Sequence, residues 1–387
     1  MRRALPLVLA LGSLACLVAA QGCSSDPATV TNPGGGGNDA GATADGAGGD
    51  GGSSGDSGSG DGAPIDAPAN TSTFVDFPDS ACDDGTKTGI GVYPNPSSDK
   101  LLVFFNGGGA CWDYFTCVEL NTSTHGPFGQ AQFTAASRSG FAGSVMDHKS
   151  AENPFKDYNT VFIPYCTGDV HTGDTVNTYA NGGKSKQIHH KGHANVTAYL
   201  KRLVATFKKP SQVMVTGSSA GGGGALFNYP TFRAAWPDTN MMLVDDSLPL
   251  FIGNSINPGL RGAWFDSWKL DAVAGPICGA ACKDDLSLFP KAVAQKYPKD
   301  RMALLSSQQD QTIRTYFQLQ PADFQAALEK LNADVLTPLP NYRHFVVPGA
   351  SHTMLGDPAK YTAGGVGLFT WLGQMSSGDA AWGSVAP

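Results

Sequence analysis

Charge is scarce in this chain. Only 15% of its 387 residues are Asp, Glu, Lys or Arg, and the acidic side leads, with 33 against 26. The part beyond residue 70 carries a net charge near −2, which gives no electrostatic sign of nucleic acid as a partner. Long apolar runs are missing after the first twenty or so positions, so no later segment is a candidate membrane span. No CxxC pair occurs, and the cysteine spacing fits no zinc-finger pattern. Residues 24–70 lack aromatics, lysine and arginine altogether. Their glycine, serine, alanine and aspartate cannot bury enough apolar surface to offset chain entropy, so this stretch reads as a flexible tether. Its seven aspartates account for the negative balance, and the part beyond is close to neutral.

What is present starts with Met1-Arg2-Arg3 and an apolar run that ends in small residues before Cys23. This resembles a bacterial lipoprotein signal, with Ala20 standing where such signals usually carry leucine. Residues 1–22 are expected to be the leader, and Cys23 the lipidated N-terminus and the only membrane contact. Residues 23–70 form the tether and 71–387 one folded domain, long enough for a sizeable core. The expected location is the periplasm, the outer membrane or the exterior of a bacterium. Six cysteines remain in the domain: Cys82, Cys111, Cys117, Cys166, Cys278 and Cys282. An even number in an exported domain reads as disulfides, with Cys111–Cys117 and Cys278–Cys282 as the simplest local pairs.

Six short apolar runs read as buried strands: 101–105, 160–165, 212–217, 241–245, 302–307 and 344–348. Amphipathic stretches lie between them, notably 194–207 and 321–332. Near-continuous apolar strands alternating with helices predict an α/β domain, a mostly parallel sheet covered on both faces.

The run QVMVTGSSAGGGGALF (212–227) surrounds a serine with residues that have almost no side chain. Gly217-Ser218-Ser219-Ala220-Gly221 is a G-x-S-x-G sequence between a strand and a helix, the turn on which α/β hydrolases expose a nucleophilic serine. Ser219 is in frame with the two glycines and Ser218 is not. A glycine-rich phosphate cradle is disfavoured, because no Lys-Ser or Lys-Thr follows. A serine nucleophile needs a base oriented by an acid, and in this fold the chain order is serine, acid, histidine. Downstream of Ser219 stand only His344, inside the last strand, and His352, in the loop after it; His352 is the expected base. Asp310 follows the preceding strand and is the expected acid, with Asp245 and Asp246 as rivals. The oxyanion donors are expected from the Ala220 N–H and from the Gly107-Gly108-Gly109 turn that follows the strand at 101–105.

These motifs together, NGGGACWD, PYCTGDVHTGD, HHKGHAN, GSSAGGGGA and the late GASH, resemble the pectin acetylesterase family, to which the animal deacylase Notum belongs. The resemblance covers most of residues 75–375. It implies an α/β-hydrolase fold and carboxylic-ester hydrolysis. It places the family's nucleophile on Ser219, its acid on Asp310, its base on His352 and its oxyanion donors on Gly107–Gly109 and Ala220. No cofactor is implied. Plant and animal members read GGGWC where this chain has GGGAC, and Cys-Asp-Gly where it has Cys166-Thr167-Gly168-Asp169. The expected substrate is an O-acyl ester, with O-acetyl on an acylated polysaccharide as the first choice.

Two other readings compete. His171, His189, His190 and His193 with Asp169 and Asp174 could assemble a metal site, and a helix would put His189 and His193 on one face. However, the position of the catalytic Glu in H-E-x-x-H is taken by His190. The second is a surface-displayed binding protein that kept the fold and lost turnover.

Overall fold

The computed structural model describes residues 62–387. The expected leader, Cys23 and most of the tether lie outside the described residues. The body begins earlier than composition suggests. Ile65 is buried in the main apolar cluster and its N–H donates to Thr206 Oγ1 at 2.8 Å, while Arg202 Nε donates to the Ala63 carbonyl at 3.1 Å. Residues 63 and 65 thus already pack against residues 202 and 206, ahead of position 71. One isoleucine in an otherwise Gly/Ala/Pro/Asp stretch supplies the apolar anchor that composition averaged away.

Ten strands carry the argument: β1 (Thr73–Phe77), β2 (Thr88–Tyr93), β3 (Lys100–Phe105), β4 (Asn159–Ile163), β5 (Thr175–Asn181), β6 (Lys184–His190), β7 (Gln212–Ser218), β8 (Asn240–Asp246), β9 (Arg301–Ser307) and β10 (Tyr342–Val347). Eight of them form one sheet in the order β1-β2-β4-β3-β7-β8-β9-β10. From β4 to β10 every pairing is parallel, whereas β2 runs antiparallel to both β1 and β4. β5 and β6 form a separate antiparallel hairpin, turned at Gly182 and Gly183.

The sheet is apolar on both faces because both are covered. Leu101, Val103 and Phe105 of β3 join one cluster, and Leu102 and Phe104 join the other. Val213 and Val215 of β7 likewise oppose Met214. Such period-two alternation between two buried faces is why the strands read as unbroken apolar runs. On the first face pack α2 (Gly192–Thr206), through Val196, Tyr199, Leu200 and Leu203, and α3 (Ala220–Ala235), through Leu226, Phe227 and Phe232. On the other pack α1 (Gln130–Gly140), through Phe133, and the last helix (Leu368–Ser377), through Phe369, Leu372 and Met375. The architecture is the expected α/β one.

Between β8 and β9 the chain inserts α4 (Pro258–Trp268), α5 (Asp271–Cys278) and α6 (Leu288–Lys296). After β9 follow α7 (Gln311–Tyr316) and α8 (Pro321–Leu331). Among the described residues three disulfides brace the loops, Cys82–Cys166, Cys111–Cys117 and Cys278–Cys282, so both local pairings hold and the long-range one joins the other two cysteines of the domain. Among the described residues no helix is long and apolar enough to cross a membrane.

Candidate active site

Ser219 sits between the end of β7 and the start of α3 with φ 60° and ψ −125°, a conformation costly for a residue with a Cβ. The turn closes only because its neighbours are small. A Cβ on Gly217 would overlap the Gly221 and Phe105 carbonyls, and one on Gly221 would overlap the Phe105 carbonyl again. The Ser219 N–H donates to the Asp246 carbonyl at 2.7 Å. Ala220 is the first helical residue, so its N–H has no intrahelical acceptor.

The glycine turn after β3 packs directly on this elbow. A Cβ added to Gly107 would lie 3.0 Å from Ser219 Cβ. The turn is held from three sides. Thr124 N–H donates to the Gly108 carbonyl at 2.6 Å, Ala110 N–H donates to the Thr122 carbonyl at 3.3 Å, and His171 Nε2 meets the Asn106 carbonyl at 2.9 Å. A carbonyl only accepts, so Nε2 carries the proton. Fixing the Asn106 carbonyl aims the N–H of the same trans peptide, that of Gly107, the opposite way. Among the described residues none accepts a hydrogen bond from the Gly107, Gly108 or Gly109 N–H.

His352 lies in the loop after β10, with a side chain 16% exposed, and faces the fully buried Asp310. Its Nδ1 is 2.8 Å from Oδ2 and 3.0 Å from Oδ1. Nδ1–H donating to the carboxylate leaves Nε2 as the basic nitrogen. Asp310 is also the N-cap of α7, accepting from Thr312 N and Ile313 N at 2.9 Å each. The two rival acids have other partners. The Asp245 carboxylate accepts from Leu248 N, and the Asp246 carboxylate from Ser218, Ser247, Met354 and Leu355. Burial pushes both above the usual carboxylate range. Of the expected acids, Asp310 is therefore the one bonded to His352.

Gly109, Ala110, Ser219 and Ala220 border one narrow cavity of about 40 Å³. Its walls are Val170, Phe227, Leu250, Trp264, Trp268 and Phe317, among others, and almost no polar surface faces it. Trp264 and Trp268 stack one turn apart on α4, with centroids 5.6 Å apart. The insertion after β8 and the end of α7 thus build the walls. The two tryptophans of GAWFDSW, four positions apart, are the sequence signal for this wall.

The histidine group does not assemble. His189 and His190 end β6, so His189 does not share a helix face with His193 as the spacing suggested; the strand stops before α2 begins. His190 is bonded by Thr167 O and Tyr179 OH, and His193 by Asn228. The Asp169 carboxylate accepts from Thr167 Oγ1 and from the N–H groups of His171, Gly173 and Gly192, while Asp174 pairs with Lys191 at the surface. Among the described residues Cys111, Cys117 and His190 bring potential ligand atoms within 4.8 Å, but the two sulfurs are bonded to each other.

Two of the buried histidines give a pH prediction. Burial holds His171 and His344 at a pKa of about 4. The unfolded chain takes up these protons near 6.5 and the folded one does not until about 4. Each histidine therefore lowers stability as pH falls from 6.5 to 4, by at most about 1.4 kcal/mol per pH unit. Asp245 and Asp246, whose pKa values are raised, act with the opposite sign, so the readout is a difference. His344→Leu should flatten the decline of the thermal midpoint between pH 6.5 and 4 relative to wild type. Parallel curves would show that His344 is not held neutral.

This fold and this strand–serine–helix elbow define an α/β hydrolase. Residues 69–335 match the pectinacetylesterase family, a span that includes Ser219 and Asp310 and stops short of His352. The chain belongs to that family. It is 32% identical over 165 residues to the palmitoleoyl-protein carboxylesterase NOTUM of Schmidtea mediterranea, covering 41% of this chain and 30% of that protein. To pectin acetylesterase 11 of Arabidopsis thaliana it is 26% identical over 208 residues, 51% of this chain and 50% of the other. To an inactive palmitoleoyl-protein carboxylesterase notum1b of Danio rerio it is 32% identical over 102 residues, 26% and 71% respectively. The chain thus spans about a third to a half of the length of the first two.

Proposed function

We propose that this protein is an exported serine carboxylesterase. The observation that carries the reading is the His352–Asp310 pair, held on the same side of the fold as an elbow serine that opens on an apolar cavity. Ser219 Oγ attacks the ester carbonyl carbon and gives its proton to His352 Nε2. Asp310 keeps the proton on Nδ1 and stabilises the imidazolium. The tetrahedral oxyanion is met by the Ala220 N–H and N–H groups of the Gly107–Gly109 turn, each such donor lowering the barrier by roughly 3–4 kcal/mol. The alkoxide leaves with the proton from His352. Water, deprotonated by His352, then attacks the acyl-enzyme, and Ser219 takes the proton back. The disulfides fit an oxidising compartment.

The cavity supports a longer acyl group than the acetyl expected from the motifs. Its apolar lining gives carbons beyond a methyl something to pack on, and its volume of about 40 Å³ limits them to a few. Each further buried methylene contributes up to about 0.8 kcal/mol, or about fourfold in kcat/KM. The full chain should therefore hydrolyse p-nitrophenyl butyrate with higher kcat/KM than the acetate, and gain little more with the octanoate. A profile that falls from acetate onward restores the acetyl reading. The alcohol portion is proposed to be a sugar hydroxyl of an acylated polysaccharide, or another small alcohol.

The relative named as inactive gives the binding-protein reading a footing of its own. A fluorophosphonate separates the two. An esterase is labelled as Ser219 Oγ displaces fluoride at phosphorus and His352 takes the proton; a displayed binding protein is not.

A further inference from the structure

β7, which delivers Ser219, and β10, which delivers His352, are not neighbours. β8 and β9 lie between them. At about 4.8 Å per strand the two ends are about 14 Å apart, so the loop after β10 must fold back across two strand widths to serve the elbow. Something has to hold it there.

Asp246 is the last residue of β8 and the register partner of Ser218. It is fully buried. Its Oδ2 accepts from Ser218 Oγ at 2.8 Å, and from the N–H groups of Met354 and Leu355 at 2.9 Å each. Its Oδ1 accepts from Ser247 Oγ at 3.0 Å and from Met354 N at 3.1 Å. Its main-chain carbonyl takes the Ser219 N–H. One residue thus grips the incoming arm of the elbow twice, and grips the histidine loop two and three positions beyond His352. Thr353 stands between, at φ 62°, where the loop reverses.

We propose that Asp246 is a positioning residue that sets the separation between Ser219 and His352. It touches neither substrate nor reacting atom. It acts by tying the residue before Ser219 to the residues after His352 through a single carboxylate. A buried carboxylate suits this task because it only accepts, and four separate donors converge on it. Reaction geometry is steep, and a misplacement of about 1 Å costs on the order of 10²-fold. This inference rests on the serine-esterase reading.

The test uses the full chain and p-nitrophenyl butyrate. In Asp246→Asn one oxygen becomes an amide that donates, and it meets donors. The expected result is a fall in kcat of about 100-fold with KM within a few-fold. Fluorophosphonate labelling should slow by a similar factor, since it needs the same Ser219–His352 geometry. The low-field proton of the His352–Asp310 pair should remain in the NMR spectrum, which shows that the acid–base pair itself is intact. Ser218→Ala removes one tie alone and should lower kcat about three- to tenfold in a folded protein. If Asp246→Asn does not fold, Ser218→Ala decides. A folded Asp246→Asn at wild-type kcat, or Ser218→Ala without effect, overturns the inference. Wild type that neither turns over nor labels sinks the esterase reading instead, and is told apart because it fails before any variant is compared.

Discussion

Ser219→Ala should reduce ester hydrolysis by a factor on the order of 10⁴ or more, leaving a residue of activity from the oxyanion donors and binding alone. The variant separates chemistry from fold with unusual clarity here. Alanine keeps the Cβ, and so keeps the backbone strain at φ 60° and ψ −125°. Ser219→Gly removes both the hydroxyl and the Cβ. It should be as inactive as the alanine variant and more stable than wild type, by about 1 kcal/mol, because glycine adopts this region freely. Activity measured beside the thermal midpoint checks both halves. A folded Ser219→Ala that retains wild-type turnover ends the nucleophile assignment.

Asp310→Asn should cost about 10⁴-fold in kcat while leaving the fold nearly untouched. The reason lies in the carboxylate's two duties. Oδ1 accepts from Thr312 N and Ile313 N at the start of α7. Asparagine caps a helix as well as aspartate, so its side-chain oxygen takes that place. Its amide nitrogen then faces His352. To accept from that amide, His352 must present a lone pair at Nδ1, which puts its proton on Nε2. That tautomer cannot take the Ser219 proton. Asp310→Ala loses the cap as well and should also be destabilised by about 1 kcal/mol. Turnover of Asp310→Asn within tenfold of wild type would move the acid's role elsewhere.

Much of the candidate site could be placed from the sequence, for an identifiable reason. The six strands with unbroken apolar runs are doubly covered, and the elbow, Asp310 and His352 each follow one of them. Chain order then sufficed to name them as candidates. Features made by long-range packing could not be read. β5 and β6 are polar along most of their length because only a few positions face the body. The NGG turn at 181–183 was nevertheless a hairpin signal. Asp246 looked like a candidate acid because it ends a strand beside the elbow. Its actual partners, Met354 and Leu355, lie 108 and 109 positions away. The histidines near 190 looked like a cluster because sequence spacing does not reveal that a strand ends between His190 and His193. The cavity walls come from helices inserted between two strands, where neither periodicity nor chain order assigns a face.

The early start of the folded body has a mechanical consequence. Residues 63 and 65 are fastened to Arg202 and Thr206, in the last turns of α2, before the chain reaches β1. Tension applied at residue 62 is therefore borne first by one buried isoleucine and two hydrogen bonds on a helix. If these yield, the load passes to β1, which among the described residues is an edge strand paired with β2. The elbow and the histidine loop belong to the parallel half of the sheet, several strands further along that line of force. A pull on the N-terminal side should fray the antiparallel margin before it reaches the elbow and the histidine loop.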